Sequence, residues 1–514
     1  MKLTILKNIS KILCCVVLVQ NTGCKKFLEE KDPSNLTPAS YYTLPAHADA
    51  AIAAAYAQTR FINGGAGIFA NNFSMLEMVT GTAKTETGQN TDLNNLLGLS
   101  YNGDNVFVNN WWNGAYSVIA QTNLVLDRVP GINPMDAAQK KRILGEAQFL
   151  RAWSYFYLVR LYGDVPLIIT SVDAASPDLT PVRAPKENVY KQIVDDLVAA
   201  DGAGLPPTDA NGRVSAGAVK SLLAEVYLTM AGQPLAKGAA YYKLAADKAA
   251  EVINSNSFSL FTNYIDLHSV AQENKGEQIF EIQYLNGVAD NPNQGVLLPN
   301  FKGVSAYGTE IGSTVPTTQF YNSFEPGDKR AVDRQGFFYT SYYDEGSGAL
   351  KNLSAPYIFK HFDIVANGTF GVKGTATSGL NWMNIRYARV LLTYAEAQNE
   401  SGAGPNQAAW DALNKIRVRA GLVTAAPGTF NQTTFREAVW RERWHELCYE
   451  GVTWFDMIRT RKVYNEATNS FDNFTGHKFP DNGAMLQDKH LLFPLPISEM
   501  QNNPKLTPQN PGYN

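Results

Sequence analysis

The chain has 514 residues and nearly balanced charge, with 44 Lys+Arg against 47 Asp+Glu and a net charge of −3 at pH 7. This balance excludes the basic surplus that proteins use to bind nucleic acid or an anionic membrane surface. The length allows a large hydrophobic core that needs no disulfide or structural metal. Cysteine is scarce, at four residues, whereas aromatic residues are abundant, with 8 Trp, 25 Tyr and 25 Phe.

Residues 1–23 have the pattern of a secretory signal peptide. Three lysines precede the apolar run ILCCVVLV at 12–19, which is too short to span a bilayer. The small residue Gly23 stands directly before Cys24. We therefore expect cleavage before Cys24 and acylation of its thiol, which would anchor the protein as a lipoprotein. An ordinary secretory signal that happens to contain cysteines is the alternative.

Removal of residues 1–23 would leave 41 Lys+Arg against 47 Asp+Glu, a net charge of −6. Cys448 would then be the only cysteine of the folded part, since Cys24 carries the lipid. A single thiol makes neither an internal disulfide nor a cysteine metal cluster. We expect no metal and no cofactor, although Asp/Asn-rich loops could hold Ca²⁺.

Residues 24–47 are predicted to form a tether, because 31–47 are rich in Pro, Ser and Thr. The first helical pattern follows at 48–60. A Gly/Asn-rich segment then covers 62–110, and loops of this length are usually functional or disordered. Helix is predicted again at 111–131, where Pro130-Gly131 would end it.

The strongest helical pattern in the chain ends at Gly163. Its apolar stripe runs from Ile143 to Leu161 in steps of three or four, and 152–159 are apolar nearly all round. We expect this helix to be deeply buried, with small residues that allow a neighbour to approach closely. Further helices are predicted at 187–201, 216–231 and 238–254, joined by short Gly/Pro connections.

Residues 256–382 differ in composition, since they are rich in Gly, Asn, Ser and Tyr. Regular helix is not expected there, but the alternation in EQIFEIQY at 277–284 predicts a strand. Helices resume at 384–400 and 405–422. A further helix runs to 449, with Thr434 and Glu437 as a possible capping box.

These elements predict a mostly α-helical protein. Tetratricopeptide-like helical hairpins would form a scaffold, and long irregular loops with a few short strands would carry the ligand face. We divide the mature chain into an N-terminal helical part at 48–255, a loop-rich insert at 256–382 and a C-terminal helical part at 383–514. Residues 48–514 are expected to pack as one globular unit.

The segment WRERWHELCYEG at 440–451 raises two enzymatic possibilities. His445-Glu446 is half of a zinc-protease signature, but the second histidine is missing because position 449 is Tyr. Glu442 and Glu446 would share a helix face with Glu450 and could serve a glycoside hydrolase. The favoured interpretation is a structural ion-pair network with arginines close in sequence, such as Arg441, Arg443 and Arg459.

Aromatic residues in the long loops suggest a sugar site, because apolar sugar faces stack on rings while Asn and Asp bind hydroxyls. The predicted ligand contacts are Phe73, Tyr101, Asn102, Asp104, Trp111, Tyr307 and Tyr342, with Tyr343 beside the last. Each ring could instead be a packing residue. Trp112 and Tyr116, four apart on a helix, are predicted to be core. We expect Trp111→Ala to weaken glycan binding without unfolding the protein.

Several motifs resemble the SusD/RagB family of outer-membrane nutrient-binding lipoproteins, and they follow one another in that family's order. They are WNGAYSVIAQTN at 112–123, GEAQFLRAWSYFYLVRLYGDVPLI at 145–168, IRYARVLLTYAEAQNE at 385–400, RERWHELCYEGVTWFDMIR at 441–459, LLFPLPISEM at 491–500 and the terminal NNPKLTPQNPGYN. Together with Cys24 they span nearly all of the mature chain. They are scaffold motifs, so they identify no ligand residue.

The resemblance implies a lipid anchor at Cys24, a place on the outer membrane facing the cell exterior, and no catalysis. It also implies a SusC-like TonB-dependent transporter as partner, to which the protein would deliver a nutrient, most plausibly an oligosaccharide. Cys448 replaces a small or apolar residue of the family pattern and is expected to be buried and inert. Two alternatives stay open, a glycoside hydrolase using Glu442 or Glu446 and a structural subunit of a transporter complex.

Overall fold

A computed structural model describes residues 42–66, 70–86, 88–173, 176, 179–297, 312–344, 347–368, 378–402 and 404–513. Cys24, the predicted signal peptide and most of the predicted tether lie outside these ranges. The described helices are α1 Pro45–Gln58, α2 Ser74–Met78, α3 Thr91–Leu97, α4 Val106–Arg128, α5 Ala137–Tyr162, α6 Lys186–Asp201, α7 Ala216–Ala231, α8 Ala239–Asn254, α9 Gln294–Leu297, α10 Thr318–Asn322, α11 Ile364–Asn367, α12 Tyr387–Ser401, α13 Gln407–Arg419, α14 Gln432–Glu446, α15 Thr453–Thr460 and α16 Ile497–Asn502.

The described strands are short and pair in twos, always antiparallel. They are β1 Ala83–Lys84, β2 Val165–Pro166, β3 Arg183–Ala184, β4 Gln278–Ile282, β5 Val315–Pro316, β6 Phe338–Asp344, β7 Ala349–Ile358, β8 Trp382–Arg386, β9 Lys462–Asn465 and β10 Ser470–Asn473. The pairs are β1 with β5, β2 with β3, β4 with β8, β6 with β7 and β9 with β10.

The long helices stack in chain order. Helix α4 packs on α5, α5 on α6, α6 on α7 and α7 on α8. Helix α8 then packs directly on α12, although 132 residues lie between Asn254 and Tyr387. Helix α12 continues the stack through α13 and α14. The prediction of a mostly helical, tetratricopeptide-like scaffold is confirmed.

Polar caps fix where the helices begin. Asn105 accepts a hydrogen bond from the Phe107 N–H, at 3.1 Å, and starts α4 five residues before the predicted position 111. The predicted capping box at Thr434 and Glu437 is wrong, because the N-cap of α14 is Asn431. Its side chain accepts from the Thr434 N–H, and the Thr434 hydroxyl accepts from the Asn431 N–H.

Helix α5 is the centre of the scaffold, as its apolar pattern predicts. Nearly every residue from Gly145 to Tyr162 is buried. At Gly145 an added Cβ would lie 2.3 Å from Ala203 Cβ, so only glycine allows this approach to the end of α6. Gly163, at φ +74°, ends the helix, and Pro166 follows in β2.

The insert between α8 and α12 begins and ends at one strand pair. Strand β4 confirms the strand predicted at 277–284, and its partner β8 occupies 382–386. Helix α12 therefore starts at Tyr387 rather than at 384, since those residues pair as a strand. The insert also contains the β6–β7 hairpin and three helices of at most five residues, α9, α10 and α11.

One hydrophobic core runs from Ala48 to Leu506 and draws side chains from both helical parts and from the insert. A smaller cluster around Tyr339, Tyr357 and Phe359 lies under the β6–β7 hairpin. Within the described ranges, no helix combines the length and apolarity that crossing a bilayer requires.

Candidate functional site

Three of the predicted ligand contacts lie in the core. Phe73 and Trp111 are 1% exposed and Tyr101 is 2% exposed. Sugar stacking requires an open ring face, so the prediction of exposed rings at these positions is wrong. Helix α4 starts earlier than predicted, and Trp111 lies on its buried side. Phe73 and Tyr101 pack against the scaffold instead of lying exposed in loops.

The three buried rings hold loops to the scaffold. The Trp111 indole N–H donates to the Asn72 carbonyl at 2.8 Å, and its ring packs edge-on against Phe61 with 5.3 Å between centroids. Phe73 contacts Trp382 of β8, with 4.9 Å between ring centroids. Tyr101 stacks on Phe493 near the C-terminus, also at 4.9 Å. Trp112 is buried as predicted, and Tyr116 is half-buried.

Asn102 and Asp104 are exposed in the turn before α4. The Asn102 side-chain oxygen accepts from the Asp104 N–H at 3.0 Å, which holds the turn and leaves the Asp104 carboxylate at the surface. Tyr307 lies outside the described residues. Tyr342 belongs to strand β6, and its side chain is outside the described part, as is that of Tyr343.

Asparagines join the loops near this turn, and we call the group the asparagine cluster: Asn63, Asn71, Asn72, Asn110, Asn291 and Asn293. Asn63 donates to Asn291 at 3.3 Å, Asn71 to Asn293 at 2.5 Å and Asn110 to Asn72 at 2.9 Å. All except the half-buried Asn110 are buried. Buried amides are stable only when they are hydrogen-bonded, so these contacts fix loop 59–72 against loop 283–293.

The first turn of α4 joins the same surface. Asn110 also donates to the Gly65 carbonyl at 3.3 Å, and Asn109 donates to the Gly103 carbonyl at 3.1 Å. We call this surface the loop face: loop 59–72 as described, the turn at 98–105 and loop 283–293. The Gly/Asn-rich composition of 62–110 indicated functional loops, but sequence reasoning missed the asparagine cluster.

The carboxylates of α14 are enclosed by cations. Glu442 is 2% exposed and lies 2.6 Å from Arg330. Glu446 is fully buried and contacts Arg330, Arg386 and Arg419. Burial alone would raise the pKa of Glu446, but Arg419, Arg386 and Arg330 together lower it well below its usual range. These arginines hold Glu446 ionised, whereas the acid of a glycoside hydrolase is protonated.

This arrangement is a structural ion-pair network, as the sequence favours. The arginines that pair with the glutamates differ from the predicted ones. Arg443 and Arg459, predicted to neutralise these glutamates, instead pair with Asp456 at 2.8 Å. Arg441 donates to Asn469. The partners of the α14 carboxylates come from distant segments, so their spacing in sequence could not indicate them.

His445 is a packing residue. Its ring contacts Phe324, with 4.6 Å between centroids, and its Nε2 lies 2.9 Å from the Ser323 hydroxyl. Burial lowers the pKa of His445 to about 3, with a further contribution from Arg330, so the ring is neutral. Within the described residues no group of three or more His, Cys, Asp or Glu side chains is arranged to hold a metal ion.

The chain is similar to known proteins over nearly its whole length. A family model described as "SusD family" matches residues 316–513, and one described as "Starch-binding associating with outer membrane" matches 26–228. A crystal structure of a SusD superfamily protein from Parabacteroides distasonis is 39% identical, with a TM-score of 0.85, covering 93% of this chain and 100% of that one.

Curated relatives show the same similarity along most of the chain. The SusD-like protein P2 of Formosa agariphila is 28% identical over 98% of this chain and 99% of its own. The starch-binding protein SusD of Bacteroides thetaiotaomicron is 24% identical over 88% of this chain and 86% of its own. The helical stack, the ordered motifs and these full-length similarities show that the chain belongs to the SusD family.

Proposed function

We propose that this protein is a non-catalytic lipoprotein of the outer membrane that captures a glycan and delivers it to a SusC-like TonB-dependent transporter. The observation that carries the proposal is family membership along the full chain. One matching family model is described by starch binding and outer-membrane association, and one relative is named as starch-binding. Cys24 would carry the lipid, with the folded part outside the cell.

We place the ligand on the loop face. Asn102 and Asp104 are exposed there and offer amide and carboxylate groups to sugar hydroxyls. The asparagine cluster holds loop 59–72 against loop 283–293, and such preorganisation reduces the entropy lost on binding. Tyr307 and Tyr342 stay predicted contacts on sequence grounds alone.

A glycan array followed by titration calorimetry tests the proposal. The chain from residue 25 onwards should bind at least one neutral glycan family. Asn102→Ala and Asp104→Ala should each weaken that binding by about tenfold, which is about 1.4 kcal/mol. Asn254→Ala is the matched control, because Asn254 is an exposed asparagine at the far end of α8.

Three outcomes would refute parts of the proposal. New reducing ends during incubation with a polysaccharide would show an enzyme. A chain that binds no glycan but co-purifies with a transporter would instead be a structural subunit. Unchanged affinity in both loop-face variants would move the site elsewhere, and Asn502→Ala then tests a groove of about 730 Å³ beside α4.

A further inference from the structure

A pocket of about 370 Å³ opens beside the C-terminal end of α5. Helices α5, α6, α7 and α15 form its walls, together with the segment around Lys489. The residues named here as the loop face do not line it. Its volume is within the range of small-molecule sites. Its lining is largely apolar but includes six cationic side chains against two carboxylates.

Arg160 lies at the floor of this pocket and is only 7% exposed. Its guanidinium carbon is 3.6 Å from the ring centroid of Phe156 and 3.6 Å from that of Phe455, so two rings enclose the cation. Its Nε–H donates to the Phe156 carbonyl at 2.8 Å. Its buried Nη1 has no hydrogen-bond partner among the described residues.

Most other buried arginines in the described residues have carboxylate partners. Arg151 contacts Asp196 at 2.7 Å, and Arg386 contacts Glu446 at the same distance. No carboxylate among the described residues lies within ion-pair distance of Arg160. Burial lowers the pKa of Arg160 to about 10, which still leaves it charged at neutral pH. An uncompensated buried charge is costly, so an anion at this position would be strongly favoured.

Most of the other charged side chains in the lining are also cationic. Beside Arg160 the pocket has the cations Arg183, Lys186, Arg459, Arg461 and Lys489, against the carboxylates Asp164 and Asp488. The charge of Arg459 is offset by Glu396 and Asp456. Lys186 is 3.5 Å from the exposed Glu187, outside the lining.

Arg461 and Arg183 form no ion pair among the described residues. Arg461, like Arg160, has a buried Nη1 without a partner among the described residues. Arg183 donates only to neutral oxygens, namely the carbonyls of Asp164 and Pro508 and the side chain of Asn510. The pocket therefore contains unused donors and an excess of positive charge.

Three carbonyls at the end of α5 already accept hydrogen bonds from other donors. The Val159 carbonyl accepts from the Gly163 N–H, the Leu161 carbonyl from the Phe493 N–H and the Tyr162 carbonyl from Asn510. The last carbonyls of α5 are thus already bonded. No described residue accepts from the Arg160 Nη1, so an acceptor from solvent can bind there.

We propose that this pocket is a binding site for a small oxyanion group, a sulfate, phosphate or carboxylate, with Arg160 at its floor. The planar guanidinium of arginine matches the paired oxygens of these groups. Arg461 and Lys489 contact the anion from the rim. The proposal does not depend on glycan capture, since no residue of the loop face lines the pocket.

Titration calorimetry with sodium sulfate, sodium phosphate and sodium glucuronate tests this site, with glucose as the neutral control. At least one anion should bind with one-to-one stoichiometry, and added NaCl should weaken the binding. Preference for an inorganic ion would identify a free-ion site, and preference for glucuronate would identify an acidic saccharide. Failure of all three anions, or equal binding of glucose, would overturn the proposal.

Variants locate the site. Arg160→Met keeps an unbranched chain between the two rings and removes the charge, so the Kd should rise at least about tenfold. Arg142→Gln is the control, because Arg142 lies on the same helix about 27 Å away. If Arg160→Met does not fold, Arg461→Gln and Lys489→Gln make the same test. Binding that survives all of these changes would place the anion elsewhere.

Discussion

Arg386 and Glu446 form an ion pair of 2.7 Å in which neither side chain is exposed to solvent. Arg386 is the last residue of β8 and also contacts Glu277, at 2.8 Å, and Glu450. Glu446 ends α14 and also contacts Arg330 of the insert. This pair therefore joins α14 to the strand pair from which the insert emerges.

Glu446→Gln should destabilise the protein by about 3–5 kcal/mol, because it leaves buried arginines without their shared counter-charge. Denaturant unfolding measures the change. Asp195→Asn is the control, since it breaks the exposed Lys191–Asp195 pair on α6 and should cost less than about 1 kcal/mol. Equal losses in the two variants would contradict a structural role for the network.

Glu281 should contribute a stabilisation of the folded protein that falls as the pH rises from about 5 to 8. Burial raises the pKa of this carboxyl to about 8 from 4.5. Between these values the folded protein keeps a proton that the unfolded chain releases, so this contribution is fully present below about pH 4.5 and is lost through pH 8.

Glu281→Gln should therefore make the slope of unfolding free energy against pH less negative in this range. Glu273, with a pKa raised by burial to about 7, contributes in the same direction and should leave a residual slope. Glu187→Gln, an exposed change, should leave the slope as it is in the parent protein. A slope that Glu281→Gln does not alter would show that another group carries it.

Trp111→Ala should destabilise the protein by about 3–5 kcal/mol, because it removes a buried ring and leaves a cavity. This replaces the sequence-based expectation that the protein would lose ligand affinity alone. Trp111→Phe should cost less, since it keeps most of the packing but loses the hydrogen bond to Asn72. Trp410→Ala, at a half-buried ring, is the comparison. Thermal unfolding that is unchanged by Trp111→Ala would show an exposed ring instead.

The scaffold was readable from sequence because its signals are local. In helix α5, the helical periodicity, the apolar residues on nearly all faces and the terminating Gly163 lie within one continuous stretch of sequence. The family motifs belong to this scaffold, so they identified the fold and not the ligand. The errors concern boundaries: a cap at Asn105 starts α4 early, and pairing with β4 makes residues 382–386 a strand.

The sites depend on long-range contacts that spacing does not show. Asn63 meets Asn291 across 228 positions, and Arg386 meets Glu446 across 60. Arg160 could have been noticed in the sequence, because it is the single charged residue in the apolar segment YFYLVRLYG. Its lack of a partner became visible only when the neighbouring segments were in place. Likewise, only the structure distinguishes the buried Trp111 from the exposed Asn102, although the two residues lie close in sequence.

Cys448 should be unreactive in the folded protein. Its side chain is fully buried, its thiol donates to the His445 carbonyl at 3.3 Å, and burial raises its pKa to about 12. A chain beginning at residue 25 contains no other cysteine. A thiol reagent should label it negligibly when native and once per chain in denaturant. Rapid native labelling would indicate local opening around 448.

Cys24→Ser should release the protein from the membrane fraction, if Cys24 carries the lipid anchor. Each buried CH₂ of an acyl chain contributes about 0.8 kcal/mol, so two or more chains hold a folded domain stably at a bilayer, and their loss leaves it free. Fractionation of cells measures the distribution, and mass spectrometry of the native N-terminus identifies the modification. Cys15→Ser is the matched control, because it changes a cysteine inside the predicted signal and should leave the anchor intact. Retention of the Cys24→Ser protein in the membrane fraction, with an unmodified N-terminus in the parent, would show that the protein is held there by a partner instead of by a lipid.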